Sequence, residues 1–164
     1  MTDADERAAV AERAARAGGR VAHERFRDGI AVESKGEDDV VTEADRAAQR
    51  TVIESIRETF PDDAIVGEEE DERKTVPEDG ASWVIDPIDG THNYVRDIRV
   101  WGTAVAAVVD GEPVAAATVC PALGDVYTAD GDGAYRNGEP IAVSDVAEPH
   151  RAAVDPTLWW GYDA

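Results

Sequence analysis

Apolar residues recur at helical spacing in two segments near the start of the chain. Residues 3–27 are rich in Ala, Arg and Glu, and this composition predicts one long helix. Gly18 and Gly19 lie inside it and either break the helix or let it pack closely against a neighbour. A second stripe predicts a helix that Thr42 caps and Pro61 ends, with apolar residues four apart at Ala44, Ala48, Val52, Ile56 and Phe60.

Shorter apolar or alternating runs predict β-strands through the rest of the chain. Residues 30–33 could form a short strand, and residues 64–67 and 81–86 fit buried strands that end in acids. Asn137-Gly138 is a strong hairpin signal between two later strands. The later strands are expected at 100–109, 113–121, 125–129, 134–136 and 141–143. This order predicts an α+β fold, with helices layered on a largely antiparallel sheet.

The most informative segment is 83–94, which reads W-V-I-D-P-I-D-G-T-H-N-Y. A buried strand would deliver Asp86 and Asp89 into a tight turn that Pro87 stiffens, and Gly90 would begin a segment with unbonded backbone amides. Two carboxylates beside such amides can hold hard cations and a phosphate together. Asp, Pro and Gly are also ordinary turn residues, so this segment alone fits a plain acidic turn equally well.

Two upstream segments add further acids. Residues 41–45 read V-T-E-A-D before the second helix, and residues 67–69 read G-E-E at the end of an apolar run. Local sequence alone favours Asp45 as the capping-box partner of Thr42 rather than as a catalytic residue.

The ordered set V-T-x-x-D, G-E-E and D-P-I-D-G-T-x-N-Y resembles the inositol monophosphatase family of metal-dependent sugar-phosphate phosphatases. Trp101-Gly102 and the segment 133–144, G-A-Y-R-N-G-E-P-I-A-V-S, are further matches, so the resemblance covers residues 5–145. It implies the first lobe of that family's layered α/β sandwich at residues 1–145, with residues 146–164 as the truncated start of a second lobe. The W-D-x-A-A-G motif of the family's second half, which carries another metal-ligand Asp, does not occur in this sequence.

The resemblance also implies a role for each matching residue. Glu68, Asp86 and the backbone carbonyl of Ile88 would bind a first Mg²⁺, Asp86 and Asp89 would share a second, and Glu68 would help hold a weaker third. Thr91, hydrogen-bonded to Asp45, would orient the attacking water.

The same resemblance suggests a phosphate site. The amides of Gly90 and Thr91 would receive the phosphate, and Lys35 lies where the family often has a lysine near the site. Glu69 fits either the site or the solvated acidic run around it.

The remaining distinctive residues have simpler interpretations. His92 is expected to face solvent, and His23 and His150 to be structural because neither has ligand-like spacing. Tyr94 is expected to anchor a short helix in the core. Cys120, the single cysteine, lies in an apolar run and fits a small core residue better than a nucleophile.

Composition limits the partners and the compartment. The chain has 164 residues, with 36 acidic residues against 16 Lys and Arg, for a formal net charge of −20. Such a surface repels nucleic acid and anionic lipid, and the acidic excess suggests adaptation to high salt, where charges are screened. One cysteine excludes a disulfide framework, no apolar run approaches the ~20 residues of a membrane span, and the acidic N-terminus is unlike a signal peptide. We therefore expect a cytoplasmic protein.

The combined prediction is a Mg²⁺-dependent phosphomonoesterase that acts on a small polyol or sugar phosphate. Inositol 1-phosphate and fructose 1,6-bisphosphate both fit, and the resemblance also implies a possible homodimer. The alternative is a non-catalytic metal-binding fragment, or an interaction or folding unit, that lacks the second half.

Overall fold

A computed structural model of the chain describes residues 2–28, 32–34, 40–67 and 72–151, with the backbone alone at 32–34, 40–42 and 149. Its helices are α1 (Asp3–Arg25), α2 (Glu43–Arg57) and α3 (Thr91–Val95), with a short 3₁₀ turn at Pro149–Arg151. A capping box begins α1: Asp5 N donates to Thr2 Oγ1 at 3.2 Å, and Thr2 N donates to Asp5 Oδ2 at 2.7 Å. None of the helices in the described segments is long and apolar enough to cross a lipid bilayer.

Helix α1 continues through the glycine pair, so Gly18 and Gly19 serve close packing rather than helix breaking. A Cβ built on Gly18 would collide with Val52 Cγ2 of α2 and lie 3.2 Å from the Ala48 carbonyl oxygen. The buried side of α1 is otherwise mostly Ala. Small side chains therefore let the two helices approach closely. The apolar contact between the helices offsets the low helix propensity of glycine.

The predicted α+β architecture is confirmed. Strands β1 (Val32–Ser34) and β2 (Val40–Thr42) form an antiparallel pair. A seven-stranded sheet has the order β3-β4-β5-β6-β7-β8-β9, in which β3 runs parallel to β4 and every later pair is antiparallel. Its strands are β3 (Ala64–Gly67), β4 (Ala81–Asp89), β5 (Gly102–Val109), β6 (Glu112–Cys120), β7 (Asp125–Ala129), β8 (Ala134–Arg136) and β9 (Glu139–Ile141).

Several predicted boundaries are corrected. The last strand lies at Glu139–Ile141 rather than at 141–143, because the hairpin turn at Asn137-Gly138 is tight and pairing resumes at once. Both turn residues have positive φ, 51° and 82°, as expected for an Asn-Gly hairpin. Helix α2 ends at Arg57, ahead of Pro61, and β5 begins at Gly102 instead of residue 100. The predicted strand at 30–33 is shifted to Val32–Ser34.

Helices α1 and α2 cover one face of the sheet. Helix α1 contacts β4 to β7, and α2 packs against α1 and β4. Apolar side chains of both helices meet Trp83, Ile85 and Val105 of the sheet in the main core. This layer fixes β4, the strand that leads to the candidate site, between helices on one side and strands on two edges.

An ion pair also holds the start of β4. Arg7 Nη1 contacts Asp63 Oδ2 at 2.6 Å, and Trp83 Nε1 donates to the same oxygen at 2.9 Å. Burial lowers the pKa of Arg7, but the hydrogen bonds that it donates to Asp63 and Asp3 outweigh this effect, and the pKa is raised overall. The guanidinium thus remains charged in a nearly buried position, and it links α1 to the strand.

A second, smaller core lies next to the end of β4. It joins the C-terminal end of α1, the N-terminal end of α2 and the short helix α3. Its buried residues are Ala22, Ala44, Ala48, Ile88, Tyr94, Trp101 and Ala122. Tyr94 and Trp101 meet edge to face with their ring centroids 4.9 Å apart, a favourable aromatic arrangement.

Candidate active site

Strand β4 does not turn at Asp86 as the sequence suggested. It stays extended to Asp89, because its pairing with β5 continues to that residue. Asp86 lies opposite Ala104 and Asp89 opposite Gly102, so three steps along β4 match two along β5. This extra residue is a β-bulge, which turn-forming residues such as Pro87 can occupy within a strand.

The bulge determines where the two carboxylates lie. Residues three apart on a regular strand point to opposite faces of the sheet. Here the partner of Asp86 is Ala104 and the partner of Asp89 is Gly102, which are two apart on β5 and therefore share a face. Residues directly opposite each other on paired strands point to the same side of the sheet. Asp86 and Asp89 therefore lie on the same side of the sheet, Asp86 half-buried and Asp89 exposed.

Thr103, which the sequence analysis did not single out, supports this irregular backbone. Its side chain is fully buried, and Oγ1 donates to the Pro87 carbonyl oxygen at 2.7 Å. That carbonyl lies inside the bulge, where regular strand pairing is interrupted. The sequence signal for this role is that Thr103 is the single polar residue at the start of the otherwise apolar run of β5.

Gly90 makes the sharp step from β4 into α3. Its φ is +92°, and a Cβ at this position would lie 3.2 Å from the Val100 carbonyl oxygen. Both features favour glycine. The carbonyl of Gly90 accepts hydrogen bonds from the amides of Asn93 and Tyr94, so α3 starts directly after the two carboxylates.

Thr91 connects two of the predicted site residues. Its Oγ1 lies 3.3 Å from Asp45 Oδ1 and 3.0 Å from the Ile88 carbonyl oxygen. A hydroxyl carries one proton, so Thr91 donates to one of these acceptors at a time. The structure thus contains the predicted Asp45–Thr91 hydrogen bond, and it adds a contact to the carbonyl that was predicted to bind metal.

Asp45 sits in a buried and electrostatically sensitive position. It is 1% exposed and lies in the first turn of α2, where the helix dipole favours a negative charge. Burial raises the pKa of the Tyr94 hydroxyl far above its ordinary value, and the charge of Asp45 raises it further. Tyr94 therefore stays protonated, and its hydroxyl donates a hydrogen bond to the Ala22 carbonyl oxygen at 2.6 Å. This confirms the prediction that Tyr94 anchors the short helix in the core.

The remaining predicted site residues lie outside the described part of the chain. These are Glu68, Lys35 and the ambiguous Glu69. Gly67, the last residue of β3, is in register with Ile85, one residue before Asp86. Its carbonyl oxygen accepts a hydrogen bond from Lys74 Nζ at 2.8 Å, which fixes the end of that strand.

The chemistry of the donor atoms at the end of β4 suits a hard cation. Asp86, Asp89 and the Ile88 carbonyl supply oxygen, the ligand type that Mg²⁺ and Ca²⁺ prefer. Within residues 2–28, 32–34, 40–67 and 72–151, no group of three or more Asp, Glu, His or Cys side chains is arranged to hold a metal. What the described residues show at the end of β4 is two carboxylates, Asp86 and Asp89, on one side of the sheet.

The other reactive side chains remain outside this group. His92 is half-buried, and its Nδ1 lies 3.0 Å from Arg96 Nη1, one turn along α3. His23 stacks near Phe26 at a ring separation of 6.4 Å. Burial raises the pKa of the Cys120 thiol, and the charges of Asp125 and Asp89 add to this, which agrees with an unreactive cysteine.

Comparison with known proteins decides the family. The sequence profile of the inositol monophosphatase family matches residues 3–160. The chain belongs to the inositol monophosphatase family. The histidinol-phosphatase of Chlorobaculum parvum is 40% identical over 129 residues, which are 78% of this chain and 49% of that protein. The fructose-1,6-bisphosphatase/inositol-1-monophosphatase of Thermotoga maritima is 43% identical over 119 residues, 71% of this chain and 44% of that protein.

A solved structure of a family member has the same fold. The inositol monophosphatase of Thermotoga maritima superposes with a TM-score of 0.77 at 36% identity, over 85% of this chain and 54% of that chain. The chain thus spans about half the length of the relatives it matches.

Proposed function

We propose that this chain carries the metal- and phosphate-binding half of a Mg²⁺-dependent phosphomonoesterase. The supporting observation is the Asp45–Thr91 hydrogen bond, 3.3 Å long, next to a β-bulge that puts Asp86 and Asp89 on one side of the sheet. A hydrogen-bonded pair that can act as a general base, beside two carboxylates that can hold a metal, suits metal-assisted hydrolysis of a phosphate ester.

In this proposal Asp86, Asp89 and the Ile88 carbonyl hold Mg²⁺, with Glu68 as a further ligand and two or three ions in all. When bound, Mg²⁺ neutralises phosphate charge and acidifies a coordinated water. Oxygen donors of this type suit Mg²⁺, which commonly retains several waters. Asn in place of Asp86 would keep the shape of the side chain and remove its charge.

Thr91 and Asp45 position the attacking water. Thr91 Oγ1 accepts a hydrogen bond from the water and donates its own proton to Asp45 Oδ1. The Thr91 proton can go to only one of the two oxygens within reach at a time, and this role requires it to go to Asp45 rather than to the Ile88 carbonyl. As the water attacks, it gives a proton to Thr91 Oγ1, and Thr91 passes its own proton to the buried Asp45 carboxylate, which acts as the general base.

The phosphate would lie at the start of α3. The first amides of a helix lack intrahelical acceptors, and the sharp step at Gly90 presents those of Gly90 and Thr91 beside Asp89. Lys35 is proposed to add positive charge near the same phosphate.

The substrate is proposed to be a small polyol or sugar phosphate, such as inositol 1-phosphate or fructose 1,6-bisphosphate. The names of the two relatives, a histidinol-phosphatase and a fructose-1,6-bisphosphatase/inositol-1-monophosphatase, support phosphate esters of small alcohols. Histidinol phosphate therefore joins the substrates to be tested. Cytoplasmic location and a homodimer remain predictions from the sequence.

The direct test is phosphate release by the protein expressed from its complete gene. The three phosphates would be assayed with Mg²⁺ and with a chelator, at low and at molar KCl. We expect release that requires Mg²⁺, that Asp86→Asn abolishes and that Asp62→Asn, at an exposed carboxylate, leaves intact. Release that is equal in chelator would refute the metal-dependent mechanism.

A further inference from the structure

A row of basic side chains on α1 lines a cleft between that helix and the ends of β6 and β7. Arg16, Arg20 and His23 fall at helical spacing and so form one stripe on that helix. They border a cleft of about 320 Å³, near the lower end of the range for small-molecule sites. This arrangement stands out in a chain whose net charge is −20.

The cleft lies beside a close contact between α1 and β6. A Cβ on Gly19 would lie 3.2 Å from Pro121 Cγ and 3.4 Å from Val119 Cγ1, so α1 lies directly on the end of β6 at this point. The basic side chains flank that contact. Val119, Pro121 and Val126 give the cleft an apolar floor, and Cys120 lies beside them.

The two arginines can turn to a ligand at little cost. Arg16 pairs with Glu12 at 2.7 Å, and Arg20 pairs with Glu24 at 3.2 Å, both along the exposed surface of α1. Their side chains are 55% and 68% exposed, and exposed pairs of this kind contribute little to stability. In contrast, Arg7 and Arg99 have guanidinium groups that tie separate parts of the fold together.

The acid in the cleft is already compensated. Asp125 borders it, but Arg136 donates to both of its carboxylate oxygens at 2.9 and 3.0 Å, and Asn137 Nδ2 donates to Oδ1 at 3.2 Å. Asp125 is thus held by Arg136 and Asn137, whereas Arg16 and Arg20 can exchange their exposed partners Glu12 and Glu24 for a phosphate. Guanidinium groups bind phosphate oxygens with well-matched geometry.

We propose that this cleft binds a small organic phosphate, at a site separate from the Asp45–Thr91 centre. Arg16 and Arg20 contact the phosphate, His23 lies at its edge, and the apolar floor receives the organic part. The inference does not depend on the proposed phosphatase activity, since it uses none of the residues assigned to that site.

Titration calorimetry with phenyl phosphate tests the proposal, in chelator so that no metal-bound phosphate contributes. We expect saturable binding heat, and inorganic phosphate, which lacks the apolar part, should bind more weakly. Thermal denaturation gives an independent readout, because a ligand that binds only the folded protein raises its melting temperature.

The double variant Arg16→Gln/Arg20→Gln should lose the binding heat and the rise in melting temperature, while Arg57→Gln/Arg151→Gln, with the same change in net charge at exposed positions, should keep both. Absence of binding heat and of a melting shift in the unaltered protein would overturn the proposal. Equal affinity in the Arg16/Arg20 variant would also overturn it.

Discussion

At the residue scale, Thr91 connects the strand that supplies the carboxylates to the helix that supplies Asp45. Its single hydroxyl proton lies within reach of Asp45 Oδ1 and of the Ile88 carbonyl oxygen. Neither contact follows from local sequence, which favours Asp45 as a capping-box partner. The Thr91 hydroxyl therefore links the Asp45 carboxylate to the backbone at the end of β4.

Replacing this hydroxyl tests the coupling. Thr91→Val keeps the shape of the side chain but removes the proton donor, and we expect phosphate release to fall about 10²-fold or more. Thr91→Ser keeps the hydroxyl and should retain most of the activity. The comparison is made with the protein expressed from its complete gene, under saturating Mg²⁺. A Thr91→Val protein as active as the Thr91→Ser protein would remove Thr91 from the mechanism.

At the element scale, the contact between α1 and α2 depends on the missing side chain of Gly18. In an exposed helix, Gly→Ala would stabilise the protein by about 1 kcal/mol. Here the added methyl meets Val52 and the Ala48 carbonyl, so Gly18→Ala should instead lower the free energy of unfolding by about 1–3 kcal/mol. Chemical denaturation measures this change.

A double-mutant cycle supplies the control for that prediction. Val52→Ala removes the side chain that the new methyl would meet, so the two substitutions together should cost less than the sum of their separate effects, with a coupling of about 1 kcal/mol. Additive costs would show that Gly18 is required for some other reason.

Tyr94 links the C-terminal end of α1 to α3. Tyr94→Phe leaves the Ala22 carbonyl without its hydroxyl donor, which should lower the free energy of unfolding by about 1–3 kcal/mol at neutral pH. Tyr135→Phe, on the half-buried strand β8, is the matched control and should change little.

The raised pKa of Tyr94 also predicts a pH dependence. A tyrosine in the unfolded chain releases its proton near pH 10, whereas folded Tyr94 retains its proton to higher pH. This contribution to stability is complete below about pH 10 and is lost as the pH rises towards the folded pKa. The free energy of unfolding, measured by chemical denaturation at rising alkaline pH, should fall less steeply for Tyr94→Phe than for the unaltered protein. Identical slopes would argue against the buried hydroxyl.

Sequence reasoning succeeded where the controlling signals are local. The apolar stripe that includes Ala44 and Val52 predicted α2, and Asn137-Gly138 predicted the hairpin turn. It was wrong about the turn at Asp86, because pairing with β5 overrides the turn preference of Asp and Pro. The hydrogen bond of Thr103 to Pro87, 16 residues apart, is a long-range contact of the same kind.

At the scale of the whole molecule, the net charge of −20 is the dominant feature. Like charges in a compact fold repel one another, and the Debye length falls from about 10 Å at 0.1 M salt to about 3 Å at 1 M. The melting temperature should therefore rise with KCl well into the molar range. Replacing exposed carboxylates by amides, as in Glu54→Gln, Glu58→Gln and Asp62→Asn together, should flatten the rise. A melting temperature that is constant or falls with KCl would contradict this electrostatic account.

The central claim is that the end of β4 binds a divalent cation beside the Asp45–Thr91 pair. Calorimetric titration with Mg²⁺ or Mn²⁺ tests it directly. Asp86→Asn removes a proposed ligand and should weaken binding at least about tenfold, since even residues that only support ligands typically cost that much. Asp62→Asn makes the same change at an exposed carboxylate and should leave the affinity unaltered. Equal affinities in the two variants would contradict the assignment of the site.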